Sequence, residues 1–171
     1  MLLRQVSSWV YDTFLARPSQ RKNIRQAARI RSTLREITGP YACARQLSYL
    51  RKVDPFAFEE LLLTSFKACG YVIKRGVRYS GEGGVDGIIY NDKGKKILLQ
   101  AKRYTGLVNP AHVREFVSKV DQCADWGYFI HTGSTGHSVY DILAGRNAQV
   151  ISGENLLNLI VHSKEPDLKW S

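Results

Sequence analysis

The chain has no apolar run close to the roughly 20 residues needed to cross a bilayer, so no membrane-spanning helix is expected. Leu2-Leu3 is followed at once by Arg4, and the next apolar cluster is broken by Asp12, which argues against a secretory signal. Cysteine is scarce. Cys43, Cys69 and Cys123 are odd in number and widely spaced, which argues against a disulfide framework and against a zinc cluster. Cys69 and Cys123 fall near the ends of expected helices and read as buried thiols. The histidines form no H-x-x-x-H pair. Together these absences fit a reducing, cytoplasmic setting. No internal repeat or low-complexity segment occurs. The glycine loop at Gly81 to Gly84 lacks the G-K-[ST] ending of a P-loop and leads into a strand, so no nucleotide cofactor is expected.

Acidic residues are also missing, but only from one part of the chain. The first 53 residues carry 11 Lys and Arg against 2 Asp and Glu, and the rest carry 14 against 13. The net charge of +10 therefore belongs almost wholly to the N-terminal third. This divides the chain into a basic helical region, 1–53, and a nearly neutral unit, 54–171, with a phosphate-attracting surface beside the second. Leu2 to Leu15 reads as a helix that meets Pro18. From Ser19 a further helix sets Ile24, Ala27, Ile30, Leu34 and Ile37 along one stripe. Arg21, Lys22, Arg25 and Arg29 cluster away from that stripe. They read either as cations laid along a DNA backbone or as a solvated basic face. Thr38-Gly39-Pro40 closes the helix, and Tyr41 to Leu50 adds one more.

Asp54-Pro55 then opens a helix to about Ala68, because Asp caps free amides and Pro suits the first helical position. Phe58, Leu61, Leu62 and Phe66 face inward, with Glu59 beside them, and Gly70 closes the element. Val72-Ile73-Lys74 starts a strand. A glycine-rich loop follows, then Val85 to Tyr90, a turn at Asn91-Asp92-Lys93-Gly94, and a strand ending Gln100-Ala101-Lys102-Arg103. Alternation places Gln100 and Lys102 on one face, and the hairpin carries them back alongside Asp86. One carboxylate, one amide oxygen and one ammonium then converge. A hard divalent cation accepts such oxygen ligands, with the Ala101 carbonyl as a third, and polarises a phosphoryl group while Lys102 stabilises developing charge. An exposed hairpin with a turn aspartate and a strand-end lysine accounts for the same letters. Beyond it, Arg103 and Tyr104 lie in a loop able to touch nucleic acid. Asn109-Pro110 opens a helix with Val113, Phe116, Val117 and Val120 on one face. Trp126 to His131 is a continuous apolar strand suited to a buried position in a mixed sheet. A helix around Val139 to Ala144, a strand at Ala148 to Ser152 and a helix at Glu154 to Val161 complete an α/β order.

Asp86 with Gln100-Ala101-Lys102, preceded by Gly83-Gly84-Val85 and by Phe58-Glu59 on a helix, resembles the Mrr-type branch of the PD-(D/E)XK nuclease superfamily. There a Gln replaces the acidic residue of the E-x-K half-motif. Gly127-Tyr128-Phe129-Ile130 with Thr132-Gly133, and Ile151-Ser152-Gly153 with Asn155-Leu156-Leu157, extend the resemblance over roughly Asp54 to Val161. Glu82 stands where Asp is commoner and His131 where Thr is frequent. The resemblance implies a restriction-endonuclease-like fold, a central mixed β-sheet flanked by helices, here with a basic helical N-terminal extension. It implies Asp86, Gln100 and Glu59 as metal ligands and Lys102 as the catalytic lysine. It further implies Mg2+, with Mn2+ as a substitute, and DNA as the substrate. Duplex cleavage needs two sites, so a homodimer is expected. A nuclease fold kept only for docking on DNA is the alternative.

Overall fold

The computed structural model describes residues 18–74 and 85–166. The expected helix at Leu2 to Leu15, the loop at Gly81 to Gly84 and Glu82 within it lie outside the described residues. Six helices and five strands follow in the order α1 (Pro18–Glu36), α2 (Ala42–Leu50), α3 (Pro55–Ala68), β1 (Val72–Lys74), β2 (Gly87–Tyr90), β3 (Lys96–Lys102), α4 (Pro110–Cys123), β4 (Trp126–His131), α5 (His137–Leu143), β5 (Ala148–Ile151) and α6 (Gly153–His162).

The sheet runs in the order β1-β2-β3-β4-β5. The first three strands are antiparallel neighbours and the last three are parallel, so the sheet is mixed. Its signals are local. Asn91 Oδ1 accepts the amides of Lys93 and Lys95 at 3.0 and 2.9 Å, and Gly94 takes φ +73°, a conformation that suits glycine, closing the β2–β3 hairpin. Asp54 Oδ1 caps α3 through Ala57 N at 3.0 Å, and Asn109 Oδ1 caps α4 through Ala111 N at 3.0 Å. Each is followed by Pro at the first helical position.

Side-chain alternation divides the core into two clusters. Ile89, Ile97, Leu99, Tyr128, Ile130 and Ile151 face α3 and α6. Ile88, Leu98 and Phe129 face α4, whose Val113, Phe116, Val117 and Val120 are buried. Burying each such side chain contributes roughly 1.5–3 kcal/mol. The approach of α4 is close: a Cβ on Gly127 would stand 2.3 Å from Val120 Cγ2 and 2.8 Å from Phe116 Cζ. Every residue of β4 is buried, as its apolar run predicts.

α1 packs on α3 and α6, outside the helices that cover the sheet. Its Ala27, Ile30 and Leu34, with Leu50 and Val53, belong to the same cluster as α3. The step in charge at residue 53 is therefore not a step in packing. Four arginines fasten these helices. Arg31 donates to Ser65 Oγ at 2.8 Å, and Arg35 donates to the Val161 carbonyl at 3.1 and 3.2 Å. Arg51 donates to the Thr132 carbonyl at 2.7 and 3.1 Å, and Arg103 donates to the carbonyls of Arg51 and Val53. The expectation of buried thiols fails at Cys123. It is exposed at the end of α4, off the face that buries Val113, Phe116, Val117 and Val120, while Cys69 is half-buried at the end of α3 and donates to the Ser163 carbonyl.

Candidate active site at the ends of the parallel strands

β3, β4 and β5 finish at one end of the sheet, the usual place for ligands in parallel α/β architecture. The regular register, Gly87 opposite Leu99, would set Asp86 opposite Gln100. The ladder breaks there instead. Asp86 N donates to the Leu99 carbonyl at 2.8 Å, and Asp86 Oδ2 accepts the Ala101 amide at 2.7 Å. A carboxylate thus replaces a backbone carbonyl at the strand end, the kind of irregularity that re-aims a side chain beside a site. Among the described residues nothing donates to the other oxygen, Oδ1.

Burial raises the Asp86 pKa above the usual carboxylate range, against the opposing pull of the Ala101 amide and the positive charge of Lys102. Gln100 is buried, and among the described residues its amide makes no hydrogen bond. Along a strand, a residue's N–H and C=O point to the same side. The Ala101 carbonyl therefore faces the Asp86 side of β3, past the last rung of the β2 ladder.

Glu59 is half-buried on α3. A Cβ on Gly87 would stand 2.9 Å from Leu63 Cδ2, so α3 lies tight against the start of β2. Glu59 is one helical turn nearer the N-terminus than Leu63, displaced toward the end of the sheet where Asp86 stands. Its neighbour Glu60 is 6% exposed, the reverse of an ordinary surface carboxylate.

The residues expected to touch DNA separate into two groups. Lys22, Arg25 and Arg29 are exposed on α1, with Arg21 half-buried. Arg103 and Tyr104, beside the site, are engaged within the fold. The Arg103 guanidinium holds the α2–α3 junction, and the Tyr104 hydroxyl meets His112 Nδ1.

Sequence reading gave His131 no role beyond its departure from Thr, and gave Arg51 none. His131 pairs in register with Lys102 and is fully buried. Its Nδ1 accepts the Gly133 amide at 3.2 Å, which assigns the ring proton to Nε2, 3.0 Å from Thr135 Oγ1. Thr135 Oγ1 in turn lies 3.3 Å from Ser152 Oγ. Burial lowers the His131 pKa to about 4, so the ring is neutral at ordinary pH. The rim above is fixed by Ser134 N to the Gly106 carbonyl at 2.9 Å, Val108 N to the Ser134 carbonyl at 3.0 Å, and Thr132 Oγ1 to the Tyr104 carbonyl at 2.9 Å.

Residues 50–160 match the Mrr catalytic-domain family, described as restriction endonuclease, over about two thirds of the chain. The chain belongs to the Mrr-type restriction endonuclease family. The Mrr-type match spans Asp86, Gln100, Lys102 and Glu59 alike. A curated relative, the type IV methyl-directed restriction enzyme EcoKMrr of Escherichia coli K12, is 30% identical over 126 residues. The alignment covers 69% of this chain and 41% of that enzyme, so the chain spans less than half the relative's length. No solved structure matches this Mrr-type chain.

Among the described residues, no three His, Cys, Asp or Glu side chains gather as a metal cluster. The oxygen donors at this end of the sheet are of another kind: the Asp86 carboxylate, bonded to the Ala101 amide, with Gln100 and Ala101 adjacent on β3. All are oxygen donors, and Asp86 Oδ1 is unengaged within the described chain. That set fits a hard divalent cation and does not fit a thiophilic one. Among the described residues, no helix is long and apolar enough to cross a membrane.

Proposed function

We propose that this Mrr-type domain is a divalent-metal-dependent DNA endonuclease, with Mg2+ as the working ion and Mn2+ as a substitute. The observation that carries the reading is the Asp86 carboxylate, hydrogen-bonded to Ala101 at the end of β3 with the charge of Lys102 acting on it. Asp86, Gln100 and the Ala101 carbonyl would hold the cation, and Glu59 would reach it directly or through water. A divalent ion there supplies charge neutralisation at the phosphate and makes water more acidic. The protein groups supply the rest. Asp86 is fixed by the Ala101 amide before any substrate arrives, so its orientation costs nothing at the moment of reaction. Lys102 holds its ammonium toward the scissile phosphate, where it stabilises charge on the oxygens and orients the attacking water.

Cutting both strands requires two such sites, and the reading includes pairing of two chains on DNA. The relative is methyl-directed by name, but this chain covers less than half of it, so methylation enters as a variable of the test. The test is cleavage of supercoiled plasmid, methylated and unmethylated, with Mg2+ or Mn2+. The expected outcome is metal-dependent nicking or linearisation by the wild type, lost by roughly 10²-fold or more in Asp86→Ala and in Lys102→Ala. Cleavage that persists undiminished in both variants would sink the assignment. Failure of the wild type to cut any plasmid or branched substrate, with binding retained, would favour the docking-module alternative.

A further inference from the structure

The arginines of α1 fall into two sets. Arg31 and Arg35 are consumed by Ser65 and the Val161 carbonyl. Lys22, Arg25 and Arg29 are exposed, and among the described residues none of the three has a hydrogen bond or ion pair. At about 100° per residue, these cations centre roughly 160° round the helix from Ile24, Ala27, Ile30 and Leu34, the buried stripe. Their side of α1 is opposite the one packed on α3 and α6.

An ordinary solvated helix face intersperses acids with bases. Here no carboxylate stands three or four residues from Lys22, Arg25 or Arg29 in either direction. Instead Arg25 and Arg29 face each other at i, i+4, and Lys22 faces Arg25 at i, i+3, pairs that destabilise a helix. α1 also has no acid in its first turn to meet the positive end of its dipole. Each of these unfavourable terms is relieved by a polyanion.

The position of the ridge is as informative as its charge. Gln100 lies, by alternation with Leu98, on the α4 side of the sheet, whereas α1 lies outside α3 and α6 on the other side. Two helix layers at about 8–10 Å each separate the ridge from the plane of the sheet. The face of β3 that carries Gln100 and this outward face of α1 are thus on opposite sides of the sheet. Lys22 to Arg29 spans about 10 Å of helix, over which duplex DNA presents about six phosphates at one charge per ~1.7 Å.

We propose that the outer face of α1 is a second DNA-docking surface, separate from the catalytic edge, that takes the phosphate backbone of a duplex segment other than the one being cut. The ligand class rests on the DNA-enzyme reading above. The surface is sequence-blind, because it offers only cations to phosphate.

The test is a titration of the full chain with a blunt 12-base-pair duplex in EDTA, following stoichiometry by sedimentation, for wild type and the triple variant Lys22→Glu, Arg25→Glu, Arg29→Glu. The wild type is expected to take two duplexes per chain and the variant one. The salt slope of the weaker site, about −2.7 for three phosphates, disappears with it. Single substitutions Arg25→Gln and Arg29→Gln, each lowering that slope by about 0.9, guard against misfolding of the triple variant. With Mg2+ added, cleavage of the same short duplex is followed in parallel for each chain. Unchanged stoichiometry and slope in the variants overturn the proposal. So does an affinity loss seen only with long duplexes, which would mean one bent DNA. Wild type that binds an acidic peptide there but no second duplex overturns it as well. Absence of cleavage in every chain would count against the endonuclease reading alone, since the titration does not depend on turnover.

Discussion

Two aspartates bracket β3, and the protein holds them in opposite conditions. At the strand's start Asp125 accepts the Lys95 ammonium at 2.9 Å and the Lys96 amide at 2.8 Å. Its carboxyl is held below the usual range, first by the Lys95 hydrogen bond and then by the backbone amide. At the strand's finish Asp86 accepts the Ala101 amide at 2.7 Å, an equally good contact, yet lies above that range. Water decides the difference. Asp125 is open to solvent, whereas at Asp86 burial outweighs both the amide and Lys102. One carboxylate lies in water beside a lysine, and the other is buried against a backbone amide.

Exchanging the charge at Asp86 should give the largest effects. Asp86→Asn keeps an acceptor for the Ala101 amide while removing the buried charge. Cleavage is expected to fall by roughly 10³-fold. Without metal, the thermal midpoint is expected to rise by a few degrees, on the order of 1 kcal/mol. The sign follows from the raised carboxyl. The native state binds this proton more tightly than the unfolded chain, so the Asp86 contribution is most favourable at low pH. It is lost as pH rises from the unfolded value through the raised native one. Calorimetry of the two proteins at acid and neutral pH reads the difference. A variant less stable than wild type at neutral pH, without metal, would contradict a strained carboxylate.

A smaller effect is expected at Gln100, which is neutral and so leaves the site with less negative charge than an acidic pair. Gln100→Glu is expected to bind Mg2+ about tenfold tighter by isothermal titration. Equal or weaker affinity would remove Gln100 from the ligand set. The smallest effect belongs to Asp125. Asp125→Asn loses an exposed ion pair, costs less than about 1 kcal/mol and leaves cleavage unchanged. Its depressed carboxyl contributes above the unfolded value, and that contribution is lost as pH falls through the lowered native one. A large loss of activity in this variant would abolish the contrast between the two strand ends.

The local grammar of the fold was legible. Asp54-Pro55, Asn109-Pro110 and the Asn91 to Gly94 turn each carry their own hydrogen-bonding instructions within a few residues, and each element starts or turns where those letters say. The hairpin likewise carries β3 back beside Asp86, as its turn and alternation require. What stayed hidden was non-local. Nothing adjacent to Arg103 or Arg51 announces that their guanidiniums reach carbonyls 50 or 81 positions away. The same letters fit a DNA-facing arginine. The bend that turns the Asp86 carboxylate onto Ala101 was equally unreadable, since alternation describes regular strands and this ladder breaks at its last rung. The burial of Glu60 was hidden for a related reason: it depends on what covers α3, which periodicity within α3 cannot specify.

The arginine joint at the α2–α3 junction has a consequence for any attempt to move this fold into another protein. Arg103 follows directly on β3 and grips the carbonyls of Arg51 and Val53, while Arg51 grips the end of β4. A transplant begun at residue 54 leaves Arg103 without both carbonyls and the Thr132 carbonyl without its arginine. It also uncovers the side of α3 now covered by Ala27, Ile30 and Leu34. The portable cassette therefore starts at α1, and the basic helix travels with the blade because it is bolted to it.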